Sequence, residues 1–338
     1  MAQLTAPPSV TDEAPTLRGI TMAPPGAVIG QRIAMLVLSI LPLVGIAAAM
    51  YGLWGTAVSA VDVGLFIGFY VLTGLGITVG FHRLLTHQSF RAPTAVRVFF
   101  AIAGSMAVQG AVIDWVATHR RHHAYSDRPG DPHSPHIDMQ GGRMGLIKGL
   151  WYGHMGWLFA PDATVQQAWA PDLLRDEPIA RVSRAFPLLI VATFLLPAVL
   201  GGLITGSLAG AVSALIWAGF VRVFALHHVT WSINSICHVF GTRPFESHDE
   251  ARNNPVMALL GFGEGWHNAH HAFPASARHG LRWWEFDASW IVIRSLEKLG
   301  LASNVKTPSA KQLERRTRRL IAEREAQAET AAAEQAAA

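Results

Sequence analysis

The chain has 338 residues, of which 51% are hydrophobic and only 15% charged, and its mean hydropathy is +0.28. Ordinary soluble domains carry about 25% charged residues, so this balance excludes a typical water-soluble domain and points to an integral membrane protein. The net charge of +4 is modest, no nucleic-acid partner is expected, and the single cysteine, Cys237, excludes intrachain disulfides and cysteine-held iron–sulfur or zinc sites.

Residues 1–30 are rich in Pro and Ala and lack an apolar core. They are expected to be a disordered segment without a signal peptide. Four apolar stretches follow, at about 33–54, 61–80, 186–206 and 208–226. Each reaches the roughly 20 residues that a helix needs to cross a bilayer. Pro42 and Pro197 fall inside them, which membrane helices tolerate. The stretches form two hairpins with short links, at 55–60 and 206–207, that contain no Lys or Arg, whereas residues 81–185 contain eleven and the segment after Val229 thirteen. Positive charge stays on the cytoplasmic side during insertion. Both termini and the long middle segment are therefore expected in the cytoplasm, with a bacterial inner membrane as the setting. Two interrupted apolar runs, 96–115 and 145–159, are expected as helices at the membrane surface; a fifth span over 96–113 is the alternative. Residues 303–338 alternate charge and alanine and are expected to be a solvated tail. The expected fold is all-α, with four transmembrane helices in two hairpins, a cytosolic helical cap, and a membrane domain over 31–302.

Sixteen histidines are present, and eight fall in three clusters: His82 and His87; His119, His122 and His123; His267, His270 and His271. In the H-x-x-H-H spacing, positions i, i+3 and i+4 lie within about 100° of helical arc, so one face offers three imidazoles. His82 and His87 are five apart, about 140° round an α-helix, and converge only if the helix ends or bends there. His238, one turn beyond Asn234, follows the fourth stretch as His82 follows the second, and is a ninth candidate. Nine imidazoles exceed one metal's capacity and fit two. Imidazole suits Fe, Zn, Cu and Ni. Hydrolytic zinc motifs carry a carboxylate base, and none of these clusters contains one, so redox iron with oxygen chemistry is expected. Haem-binding histidines would sit inside spans. His227 and His228 are expected to be structural, and His133, His136, His154, His248 and His279 non-ligands. Asp114, Asp127, Asp131 and Glu264 are candidates to orient the imidazoles.

The stretch 76–87 (GITVGFHRLLTH) resembles the first histidine box of the membrane acyl-CoA Δ9 (stearoyl-CoA type) desaturases. Residues 119–123 (HRRHH), followed by Asp131-Pro-His133, resemble the second box, and 263–274 (GEGWHNAHHAFP) the third. Residues 230–244 (TWSINSICHVFGTRP) resemble the family's T-W-x-x-N-S-x-x-H segment. The resemblance covers roughly 33–302 and implies an oxidoreductase that inserts a cis double bond into a saturated fatty acyl chain. It implies two irons, O2 as co-substrate, and electrons from a separate donor such as a ferredoxin or a cytochrome with its reductase. It assigns His82, His87, His119, His123 and His271 to one iron. The other would take His122, His238, His267 and His270, with Asn234 through water. Gln109, Trp115, Thr230 and Trp231 would line the bend of the acyl tunnel. One departure concerns the carrier: the family's Arg-Asp pair that contacts coenzyme A is replaced by Ala117 and Thr118, so acyl-CoA stands beside acyl-carrier protein and phospholipid as the expected substrate form. Two rivals are a lipid or alkane hydroxylase of the same histidine-box class and a non-catalytic membrane metal-binding protein.

Overall fold

The computed structural model describes residues 17–52, 58–317 and 322, and they are mostly helical with few strands. Residues 1–16, 53–57 and the rest of the chain from 318 onward lie outside the described residues. Most of the expected N-terminal segment and tail, the last two residues of the first expected span, and part of the first link fall there.

The first expected span lies on helix Pro25–Gly52, which has 28 residues. Three helical runs among the described residues are long and apolar enough to cross a membrane: Ala60–Thr86, Phe186–Thr205 and Leu208–Val239. The third expected span matches its helix closely. The second and fourth continue past their hydropathy limits at 80 and 226, because polar residues lower the hydropathy while the backbone bonding continues. Leu208–Val239 has 32 residues. At 1.5 Å per residue it is about 48 Å long, against a hydrocarbon thickness of about 30 Å, so its polar end stands clear of an apolar slab.

Local chemistry explains the boundaries. Ser59 caps the second helix: its hydroxyl accepts from the Asp62 amide while the Asp62 carboxylate accepts from the Ser59 amide. Helix Phe186–Thr205 ends at Gly206, whose φ of 64° makes the left-handed cap of a tight hairpin. Helix Thr94–Ser105 is only 12 residues and is followed by two left-handed residues, Val108 at φ 61° and Gly110 at φ 113°. A fifth span over 96–113 is thereby excluded.

That short helix packs unusually close to the second long one. A Cβ on Gly76 would lie 2.2 Å from the Gly104 amide nitrogen, and one on Gly80 would lie 2.7 Å from Phe100 Cβ. Phe81, Phe100, Val112, Val116, Ile179 and Ile293 form the centre of the core that joins these helices to Val112–Tyr125, Glu177–Arg184 and Ala288–Lys298. Arg222 is fully buried and donates to the carbonyls of Ala218 and Met106, tying the last long helix to the turn after Ser105. Leu188, Val191, Leu195 and Leu203 remain exposed along Phe186–Thr205, as an apolar medium would require. Helix Leu146–His154 likewise leaves Ile147 and Trp151 exposed. One antiparallel strand pair, Ile20–Met22 with Asp162–Thr164, holds the chain's first described segment against the cap.

Candidate metal centre

The first histidine pair owes its convergence to a change of helical winding. Residues Gly76–Thr86 are wound as π-helix, with i to i+5 bonding. The His87 amide donates to the His82 carbonyl at 3.1 Å, and the Thr86 hydroxyl to the Phe81 carbonyl at 2.7 Å. Residues five apart then stack on one face, and the His82 and His87 rings stand 4.8 Å apart. The spacing calls for an end or a bend; the helix does end here, with His87 as its C-cap, and the wider π winding just before it turns both rings to one side.

The second cluster sits on Val112–Tyr125, and the arginines between its histidines fix that helix. Arg120 donates to the carbonyls of Leu85 and Trp169 and to Asp172, while Arg121 donates to the Gly130 carbonyl and Asp162. The third cluster forms the short helix His267–Ala272. Asn268 holds it in place by bonding the Phe245 amide and carbonyl at 2.9 and 3.0 Å.

All nine candidate histidines meet, in two adjoining groups. His82, His87, His119, His123 and His270 bring ligand atoms within 4.8 Å of one another, and so do His122, His238, His267 and His271. Nε2 atoms face each other at 3.0 Å between His82 and His270, 2.9 Å between His270 and His123, and 3.1 Å between His238 and His267. This grouping of side chains differs from the division implied by resemblance, with His270 and His271 exchanged. Adjacent helical residues point about 100° apart; His270 faces His82 and His87, while the His271 ring lies 4.3 Å from that of His267.

Four carboxylates hold the outer nitrogens. Nδ1 donates from His82 to Glu264 at 2.5 Å, from His122 to Asp131 at 2.9 Å, from His238 to Asp127 at 2.9 Å, and from His271 to Asp249 at 2.5 Å. A proton fixed on Nδ1 leaves the Nε2 lone pair aimed into the group. Nε2 of His87, His122 and His271 is buried without a hydrogen-bond partner. Such orphaned atoms cost about 1–3 kcal/mol each, and a cation in each group would satisfy them. Burial, then the crowd of neighbouring imidazoles, holds His87, His119, His123, His267 and His270 well below the ordinary histidine pKa. Burial raises the Asp131 and Asp249 carboxyls, but the partner imidazoles outweigh it and leave both below their usual values. Neutral imidazoles beside ionised carboxylates are the protonation state that metal ligation needs.

Of the orienting carboxylates expected, Asp127, Asp131 and Glu264 hold histidines, but Asp114 does not; its carboxylate takes Gln166 instead. Asp249 was missed. It lies 22 residues from His271 in sequence, with no local spacing to betray it. Two histidines expected to be non-ligands also enter the neighbourhood. The His133 ring lies 4.2 Å from that of His122, and the His279 ring lies 4.4 Å from that of His270, with His279 Nδ1 3.7 Å from the Glu264 carboxylate and neither ring nitrogen hydrogen-bonded. His227 is structural, bonding the Ala107 carbonyl at 2.9 Å, and His228 pairs with His154.

A cavity of about 400 Å³ adjoins the metal groups. His82, His119, His267 and Asn234 face it from the metal side, and Ile77, Leu226 and Phe262 give it apolar walls. Gln109, Trp115, Thr230 and Trp231 all line it, and the Gln109 amide donates to the Thr230 hydroxyl at 2.9 Å. This size and lining fit a mostly apolar ligand held by a few polar groups.

Residues 60–304 match the family model described as fatty acid desaturase. The chain is 45% identical over 280 residues to a hex-5-enoyl-(acyl-carrier protein) acetylenase of Moorena producens, covering 82% of this chain and 87% of that protein. It is 40% identical over 256 residues to an sn-1 stearoyl-lipid 9-desaturase of Anabaena variabilis, covering 75% and 86%. It is 40% identical over 245 residues to an acyl-CoA C20 Delta5-desaturase of Anemone leveillei, covering 71% and 72%. A match over most of the chain, joined to the histidine groups and the apolar spans, shows that this protein belongs to the fatty acid desaturase family.

Proposed function

We propose that the protein is an O2-dependent acyl desaturase that introduces a cis double bond at the Δ9 position of a saturated chain. The observation that carries this reading is the convergence of nine imidazoles, in two groups, on one end of an apolar cavity. His82, His87, His119, His123 and His270 would hold one iron. His122, His238, His267 and His271 would hold the other, with Asn234 nearby through water. Two irons bound there supply the oxidising power, drawn from O2 and an external electron donor, to take hydrogen from unactivated carbon.

The protein's own part is orientation and exclusion of water. The acyl chain enters the cavity and gains about 0.8 kcal/mol for each buried CH2. Burial of that kind separates neighbouring carbons poorly, so the position of attack depends on a fixed head and a bend. Gln109 bonded to Thr230, with Trp115 and Trp231 alongside, shapes the bend. The carboxylates of Glu264, Asp131, Asp127 and Asp249 keep each attached imidazole in the tautomer that points inward.

Acyl-CoA is the carrier that the stearoyl-CoA-type motifs imply. A lipid-linked chain is the second reading. It is favoured by buried Ala117 and by Thr118, which lines the cavity where a charged pair would meet coenzyme A. In the membrane, helix Pro25–Gly52 joins the three apolar runs as a fourth span, and the metal groups face the cytoplasm.

Expression in a desaturase-deficient bacterial host, followed by fatty-acid mass spectrometry with double-bond location, tests the reading. Cis-Δ9 monounsaturated chains are expected. Hydroxylated chains, or no new product from an iron-loaded protein, would overturn it. Feeding purified protein with stearoyl-CoA or stearoyl-glycerolipid separates the two carriers.

A further inference from the structure

We infer that a basic groove behind the third histidine cluster is the docking surface for an acidic one-electron carrier protein. The inference rests on the desaturase reading, which leaves an electron requirement. One O2 needs four electrons and four protons to become two waters. The acyl chain supplies two of each as two C–H bonds break and the double bond forms. The remaining two electrons come from the carrier and the remaining two protons from solvent.

The groove encloses about 730 Å³ and is separate from the acyl cavity, with which it shares no lining residue. Its floor is the chain that leaves the third cluster, residues 272–276. Three short routes run from it to the metal groups. Phe273 lies two residues beyond His271, and its amide donates to the carbonyls of Ala269 and His270. His248 lies in the groove beside Asp249, whose carboxylate accepts from His271 at 2.5 Å. Lys306 donates from Nζ to the carbonyl of Gln88, the residue after His87, at 2.8 Å.

The charge lining this groove is net positive. Lys306, Arg315 and Arg316 line it, and Glu246 is the acid among its described lining residues. Lys306 and Arg315 are exposed, while Arg316 is steadied over the Phe273 ring, 5.4 Å from its centre. A cationic surface steers an acidic partner and fixes its register more than it adds contact energy. An acidic acyl-carrier protein would feel the same attraction, but from here its cargo has no shared wall with the acyl cavity.

The test uses the purified full-length protein loaded with iron and a plant-type two-iron ferredoxin, kept reduced by NADPH and its reductase. In Lys306→Glu/Arg315→Glu, KM for ferredoxin is expected to rise about tenfold, with a smaller rise for Arg315→Glu alone. The wild-type KM should climb with salt, and the double variant's should not. Iron content and single-turnover desaturation driven by dithionite should match the wild type, and Arg181→Glu, on another surface, should leave KM for ferredoxin unchanged. An unchanged ferredoxin KM in the double variant overturns the assignment. So does equal loss with dithionite, an equal effect from Arg181→Glu, a raised KM for the acyl substrate instead, or no turnover of wild type with ferredoxin. Absence of product from wild type with dithionite would sink the desaturase reading itself, a separate result.

Discussion

Asp249 shows what a single side chain contributes to a site built from imidazoles. Its carboxylate lies 2.5 Å from His271 Nδ1 and is itself buried. In Asp249→Asn the shape stays and the anionic acceptor goes. Partners of this kind typically account for 10- to 100-fold in metal affinity, and a loss of about that size is expected by competition with a chelator. Asp114→Asn, which touches no imidazole, should leave metal content unchanged. The nine clustered histidines are legible because their types and spacings are local. Asp131 was legible too, nine residues from His122. Asp249 was not, because only tertiary folding brings 249 to 271. The roles of His270 and His271 depend on a rotation that spacing leaves open.

The same imidazoles govern the response to acid. Burial, offset in part by Asp249, leaves His271 at about 4, and burial with His122 nearby leaves His133 at about 3. Unfolded, each titrates near 6.5. An imidazole kept neutral in the fold takes its proton only on unfolding, so the stability it contributes is full above about 6.5 and is lost as pH falls toward those lower values. Metal-free protein in detergent should therefore melt at progressively lower temperature from pH 7 to pH 5. The slope approaches about 1.4 kcal/mol per pH unit for each such group. A melting temperature that does not change over that interval would contradict the buried, neutral state.

At the scale of elements, the π-wound stretch Gly76–Thr86 does two jobs. It aligns His82 with His87, and it presses glycines against Thr94–Ser105. A methyl group at Gly76 would collide with backbone of that helix, whereas one at Gly64 meets nothing within 4 Å. Gly76→Ala should therefore cost about 1–3 kcal/mol by overpacking, measured as a lower melting temperature, while Gly64→Ala should not destabilise. Hydropathy located these helices but misjudged where they stop. Histidines, Asn234 and Ser235 are polar, yet His82, His238 and Ser235 are buried, so the apolar signal fades while the helix runs on. The H-x-x-x-x-H spacing was itself the sign of altered winding, and an α-helical template hid it.

Across the whole molecule, four separate segments converge: 82–87, 119–123, 238 and 267–271. Their order and motifs made the family legible, since each motif is contiguous. The cap was less legible because its framework is irregular chain held by side chains such as Asn268, Arg120 and Asn253, whose partners lie far off in sequence. The electron groove was invisible for the same reason, assembled from 246–248, 272–276 and 306–316.

The small sheet at the front of the chain couples two regions that hydropathy treats as unrelated. Met22 pairs with Asp162, and Asp162 clamps Arg121, which sits between His119 and His122. Trimming the protein to begin at Ala23 unzips that pairing without touching any of the nine clustered histidines. The shortened protein should lose bound metal faster under dialysis than the intact one, and a bulky tag abutting Ile20 should do the same.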